Sequence, residues 1–217
     1  MQTLGLDPSL TNFGWALHDT SAVGRSRCVD RGRFHTSTKS LYVDRYCEMR
    51  ANVLELVTRL GVTRVGIEFP IFNDIWSEGM YGLFLFASEA LRLAKVDVVF
   101  LANNQTKAHC RRFLDRPKGW KIGKPDMIEG AKLDTGGGGR WSGDEADAYW
   151  VALVAGRFWQ LVDDEVTVDD LTPLEAKQFT AIHTYSRGKK AGQTVHRGIQ
   201  YREGERFFRW SQLEGDG

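Results

Sequence analysis

Several signals that would narrow the function at once are missing from this sequence. Its 217 residues hold three cysteines, Cys28, Cys47 and Cys110, widely spaced and without a C-x-x-C pair. An odd, scattered set predicts neither a disulfide framework nor a thiolate zinc site, so all three are expected to be reduced thiols. No apolar run approaches the ~18 residues of a membrane span, and Met1 to Leu17 lacks the basic and apolar regions of a secretory leader. A cytoplasmic protein is therefore expected. No internal repeat is present, and no low-complexity tract beyond Gly136 to Gly139. Excess charge is missing too: 29 Lys and Arg against 28 Asp and Glu leave +1, so the sum of charges points to no acidic partner.

What is present is the composition of a folded domain, 42% hydrophobic and 26% charged. The charge is unevenly placed. Lys107 to Arg140 carries nine Lys or Arg against four acids, and Leu171 to Leu213 eight against three, so each segment can supply a basic face. Between them, Val162 to Asp170 holds five acids and is expected to be a solvated linker. The expected organisation is one domain over 1–161 and a small basic extension over 162–217.

The apolar periodicity predicts strands at Thr3–Leu6, Phe13–His18 and Arg31–Thr36, forming an antiparallel meander. It then predicts a helix over Tyr42–Leu60 stopped by Gly61, a strand Val65–Phe69, a helix Leu83–Lys95 and a strand Val96–Leu101. Asn103 to Gly139 is polar and glycine-rich with one short helix candidate, Asp126–Lys132. Asp144–Leu161 is a long packed helix. The capping-box pattern Thr172-Pro173-Leu174-Glu175 follows the acidic linker, and short strands around basic turns close the chain. The class is α/β: a mixed five-stranded sheet flanked by helices.

Four carboxylates stand out against this frame. Asp7 sits where a strand opens into a turn, Glu68 interrupts an apolar strand, and Asp144 and Asp147 lie three apart on one helix face. Asp7 before Pro8 is good turn chemistry and Asp144 suits an N-cap. Glu68, between Ile67 and Phe69, has no such explanation. Carboxylates beside a core are costly to bury unless they share a cation or another partner. Oxygen ligands of this kind suit Mg²⁺, with Mn²⁺ able to substitute. Two such ions would allow phosphodiester hydrolysis without a His or Cys nucleophile.

The stretch Leu4-Gly5-Leu6-Asp7-Pro8-Ser9-Leu10-Thr11-Asn12-Phe13-Gly14-Trp15-Ala16, then Gly66-Ile67-Glu68, then Asp144-Glu145-Ala146-Asp147-Ala148 resembles the motif set of RuvC-type Holliday junction resolvases, over roughly Met1 to Phe158. The resemblance implies an RNase H-like fold and a homodimer that nicks four-way DNA junctions symmetrically. It makes Asp7, Glu68, Asp144 and Asp147 ligands of two Mg²⁺ ions, and Lys107 and Lys124 the counterparts of the family's basic residues. Lys124 is the one expected to meet the scissile phosphate. The loop after Glu68 carries Phe69, Phe72, Trp76 and Tyr81, of which Phe72 is expected to stack on a base at the opened junction.

Two departures from the family pattern stand out. Ser9 replaces a usual glycine beside Asp7. The basic segment RGKKAGQTVHRG has no counterpart in the compact bacterial enzymes, and it brings to mind phage-borne relatives acting in a host cytoplasm. Its Arg187, Lys189, Lys190 and Arg197 are expected phosphate contacts, with a flexible solubilising appendage as the alternative. Other substrates for the same chemistry are forks, flaps and RNA-DNA hybrids. Outside it stand a non-catalytic junction-binding module and an actin-like ATPase or sugar kinase, the last of which needs a longer chain.

Overall fold

The computed structural model describes residues 1–69, 78–137, 139–179, 182–184, 194–196, 199–204 and 206–209. Strands β1 (Gln2–Asp7), β2 (Asn12–Asp19) and β3 (Cys28–His35) form the antiparallel meander, with Asp7 opposite Gly14 and Gly14 opposite Arg33. Parallel strands β4 (Arg64–Phe69) and β5 (Asp97–Ala102) extend it on the other side of β1. Strand residues alternate between faces, which sorts the sequence into two sets. Leu4, Leu6, Phe13, Trp15, Leu17, Val65 and Ile67 point to one side. The intervening Gly5, Asp7, Gly14, Ala16, Gly66 and Glu68 point to the other.

The first face is covered by α1 (Tyr42–Leu60) and α2 (Glu78–Leu93). Met49, Val53, Leu56 and Val57 of α1 recur at helical spacing and are buried, and Gly61 ends the helix in a left-handed conformation with its N–H on the Val57 carbonyl. The second face is covered by α5 (Gly143–Val162), which starts with a reciprocal cap: Ser142 N–H donates to Glu145 Oε2 at 2.7 Å, and Glu145 N–H donates to Ser142 Oγ at 3.2 Å. Ser142 is thus the N-cap, and Asp144, expected as a possible cap, is the second helical residue with its side chain free for other contacts.

Helix α5 lies unusually close to the sheet. A Cβ on Gly5 would stand 2.1 Å from the Ala148 carbonyl oxygen, and one on Gly14 would stand 2.1 Å from the Asp144 carbonyl oxygen. Only glycine at both positions lets the helix backbone rest on β1 and β2. The outer side of α5 is buried in turn by α3 (Asn103–Phe113) and α4 (Lys124–Asp134), with Trp150 Nε1 donating to the Met127 carbonyl at 3.2 Å. Helix α3 was not expected. Its sequence, NNQTKAHCRRF, buries only Thr106, His109 and Cys110 and so shows no apolar stripe. Gln105 Oε1 stabilises its start by accepting from Ala102 N–H at 2.7 Å.

The five expected strands are joined by two more, giving the order β3-β2-β1-β4-β5-β8-β9. Strand β8 (Gln200–Glu203) pairs antiparallel with β5, and β9 (Arg206–Arg209) pairs with β8. Beyond α5, the expected capping box opens α6 (Pro173–Phe179), where Thr172 N–H donates to Glu175 Oε2 at 2.7 Å. Strands β6 (Ile182–Thr184) and β7 (Thr194–His196) form a separate pair. Leu171, Phe179, Ile199 and Tyr201 share a core cluster with Val99, Leu101, Phe158 and Trp159. The residues after 162 therefore include a part that is built into the main core.

Two outcomes follow from this packing. Gly5→Ala is expected to lower stability by about 1–3 kcal/mol or more through overpacking against α5, and an unchanged urea midpoint would refute the contact. A chain ending at Val162 would leave the faces of Phe158 and Trp159 uncovered. It is expected to bind a hydrophobic dye and lose cooperative unfolding, whereas a sharp transition would show the extension to be dispensable.

Candidate active site

Asp7 and Glu68 reach the same place because their strands are parallel neighbours, with Leu6 beside Ile67 and each acid one step further on. Both belong to the face that α5 covers. Close seating of α5 at Gly14 then brings in Asp144 and Asp147, which are 8% and 9% exposed. All four predicted carboxylates are therefore gathered at one end of the sheet.

Their proximity is expressed in their electrostatics. Burial, followed by the charges of Glu68, Asp147 and Asp144, raises the Asp7 carboxyl well above its ordinary value, with Lys124 opposing. Burial pushes Glu68 up to about 7, against the Asn103 hydrogen bond and aided by the Asp147 charge. Burial also pushes Asp147 up to about 6, opposed by Lys124 and Lys107. Like charges in a low-dielectric niche disfavour joint ionisation.

Three protein groups offset part of this cost. Lys124, at the start of α4, donates from Nζ to Asp144 Oδ1 at 2.6 Å, and that bond raises the lysine above its ordinary value. Asn103, the first residue of α3, donates from Nδ2 to both Glu68 oxygens, at 2.8 and 3.0 Å. Lys107, one turn further along α3, adds its charge near Glu68 and Asp147. Both predicted lysines are thus at the site, but Lys124 faces a carboxylate. Asn103 carries little signal in the sequence because the helix that presents it has no apolar signature. The one available signal was position, directly after the strand beside Glu68.

Among the described residues, no three His, Cys, Asp or Glu side chains form a ready-made metal cage. Mg²⁺ seldom needs one, since it keeps several waters and is usually held by one or two carboxylates with substrate phosphates. Donor chemistry fits such an ion: the oxygens are hard, and Asp147 Oδ1 is buried without a hydrogen-bond partner. An orphaned buried carboxylate oxygen calls for a cation or water.

Phe72, Trp76, Arg187, Lys189, Lys190 and Arg197 lie outside the described residues. Of the other two loop aromatics, Phe69 packs edge-on against Phe84 and Phe100, so it is a core residue, while Tyr81 is exposed on α2. The three cysteines are free thiols. No helix among the described residues is long and apolar enough to cross a membrane.

No protein-family model and no curated protein sequence matches the chain. Solved structures do. Thermus thermophilus RuvC superposes with a TM-score of 0.60 at 19% identity, covering 75% of this chain and 97% of that one. T. thermophilus RuvC in complex with Holliday junction substrate gives 0.57 at 18% identity, covering 74% and 96%. This chain has the RNase H-like fold of RuvC. At these identities the likeness is one of fold, and a quarter of the chain lies beyond it. Within the RuvC-type fold, the gathered carboxylates stand at the ends of the first and fourth strands and on the first two turns of α5.

Stability should report this electrostatics directly. A group whose folded pKa is raised contributes stability below its unfolded pKa and loses it as pH rises through the folded value. With Asp147 raised from 3.8 to about 6 and Glu68 from 4.5 to about 7, the metal-free protein should weaken as pH rises from about 4 to just above 7. Glu68→Gln should then raise stability at pH 8 in chelator by roughly 1–3 kcal/mol. Mg²⁺ should stabilise the wild type more at pH 8 than at pH 5. Melting curves that are flat with pH in chelator would contradict the carboxylate coupling.

Proposed function

We propose that this protein is a Mg²⁺-dependent endonuclease that resolves four-way DNA junctions as a homodimer. The observation that carries it is the gathering of Asp7, Glu68, Asp144 and Asp147 at one end of an RNase H-like sheet, where burial and neighbouring charge raise the carboxyls of Asp7, Glu68 and Asp147. The structural likeness to RuvC, which has been seen with a Holliday junction substrate, supports branched DNA as the substrate class. Dimer symmetry would match the two-fold symmetry of a junction.

These four carboxylates would hold Mg²⁺, with Mn²⁺ able to substitute. When bound, the metal supplies charge neutralisation of the phosphate and a water acidic enough to attack it. The chain's own groups prepare that site. Asn103 fixes the Glu68 carboxylate by donating to both its oxygens, so that its direction is set before any ligand arrives. Lys124 holds its ammonium proton against Asp144 Oδ1 and keeps a positive charge where an incoming phosphodiester brings negative ones. Lys107 adds a second positive charge on the Asn103 face of α3. Asp147 Oδ1, having no partner, is the oxygen most in need of a new one.

The test is cleavage of a labelled mobile four-way junction in Mg²⁺, Mn²⁺, Ca²⁺ and chelator, beside forks, flaps, RNA-DNA hybrids and linear duplex. Junction cutting in Mg²⁺ and Mn²⁺ alone is expected, with Glu68→Ala and Asp147→Asn abolishing it while junction binding survives. Asn103→Ala should slow cleavage by roughly 10- to 100-fold, as removal of an outer partner of a metal ligand does. Undiminished cutting by Glu68→Ala would overturn the assignment of the carboxylates. Equal cutting of linear duplex would overturn the junction specificity.

A further inference from the structure

The strand register extends the carboxylate row across the sheet to a cationic residue. Asp7 lies opposite Gly14, and Gly14 lies opposite Arg33. Directly paired residues share a face, so Arg33 emerges on the same side as the four carboxylates. Its neighbour Phe34 confirms the alternation by packing on Phe13 and Trp15 in the opposite core. Two strand spacings separate Arg33 from Asp7, about 10 Å, and Gly14 leaves no side chain between them.

Beside Arg33 the surface opens into a cavity of about 500 Å³ lined by Arg33, Arg140, Trp141, Ser142 and Glu145. Two guanidinium groups thus reach one concave space from different parts of the chain, β3 and the segment before α5. Both residues are exposed, and neither is in an ion pair among the described residues. The Glu145 carboxylate is committed to Ser142 N–H, and the Arg31 guanidinium lies 3.9 Å from the centre of the Trp141 ring, which stiffens the wall. The helix start is already capped by Ser142, so an anion here would be bound by the arginines. Guanidinium forks match phosphate oxygens in charge and geometry.

We propose that Arg33 and Arg140 form a backbone-phosphate subsite that holds the DNA strand a few nucleotides from the bond placed at the carboxylates. It rests on the nuclease function proposed above and adds to it the side on which the strand runs, over β2 toward β3. Such contacts fix register on the nucleic acid and carry no base information.

The experiment is junction binding in Ca²⁺ by the full chain over a range of salt concentrations, with cleavage in Mg²⁺ measured alongside. Each phosphate contact contributes about 0.9 to the slope of log affinity against log salt. The paired substitution Arg33→Gln with Arg140→Gln should lower that slope by about 2 and weaken binding similarly across sequences. Arg33→Lys with Arg140→Lys, which keeps the charge, should retain most of the slope. A glutamine pair with wild-type melting temperature and wild-type slope overturns the subsite while leaving the nuclease standing. A wild-type protein that neither binds junctions nor cuts them overturns the nuclease, and the subsite with it.

Discussion

Backbone contact between α5 and the first two strands is the constraint on which the carboxylate end of the molecule depends. A helix normally stands away from a sheet by the thickness of two side-chain layers, and at that distance Asp144 and Asp147 would not reach the level of Asp7. Gly5 and Gly14 remove one layer, and Ala148 and Ala152 thin the other. Helix and sheet then act as one rigid body, in which the strand ends hold two acids and the first helical turns hold two more. Rigid elements define such a site better than loops do, because the geometry is fixed by packing already needed for the fold.

What that contact assembles is electrostatically unfavourable. Four acids share a niche in which burial and mutual repulsion raise Asp7, Glu68 and Asp147. Lys124 and Asn103 offset part of this, and Asp147 Oδ1 is left without a hydrogen bond. The balance is incomplete in the direction a cation would correct. Lys124 has a double place in it. Its side chain is 62% exposed, so the bond to Asp144 is screened by water and adds little stability. In the proposed nuclease, such a weakly held ammonium would be free to turn from a carboxylate to a phosphate.

The parts of this site that were legible in the sequence are those where a residue breaks a period. Glu68 stands out because an apolar strand leaves it no ordinary role, whereas Asp7 before Pro8 could be turn chemistry and gains weight only beside the other three acids. Asp144 and Asp147 stand out because, three apart, they share one face at the start of an otherwise apolar helix. Asn103 broke no pattern, since the polar helix that carries it has none to break. Arg33 lies within the expected strand Arg31–Thr36 without breaking any pattern, and its place opposite Gly14 is a matter of register, which pairing between strands decides. The sheet's full width was hidden for a similar reason. Strands β8 and β9 are four residues each, and the pairing of β8 with β5 spans about a hundred residues.

The same register accounts for a polarity across the sheet end. Glu68 and Asp7 are adjacent, Gly14 is a gap, and Arg33 stands on the far side, so acidic and basic residues are separated by about 10 Å along one row. A polyanion laid across that row meets attraction at the arginines and repulsion at the bare carboxylates. A divalent ion among the acids would reduce that repulsion, so under the proposed function metal and DNA should bind cooperatively, each reducing the cost of the other. That coupling follows from charge placement, and in the proposed nuclease it would make the unfavourable niche a means of holding substrate and metal together.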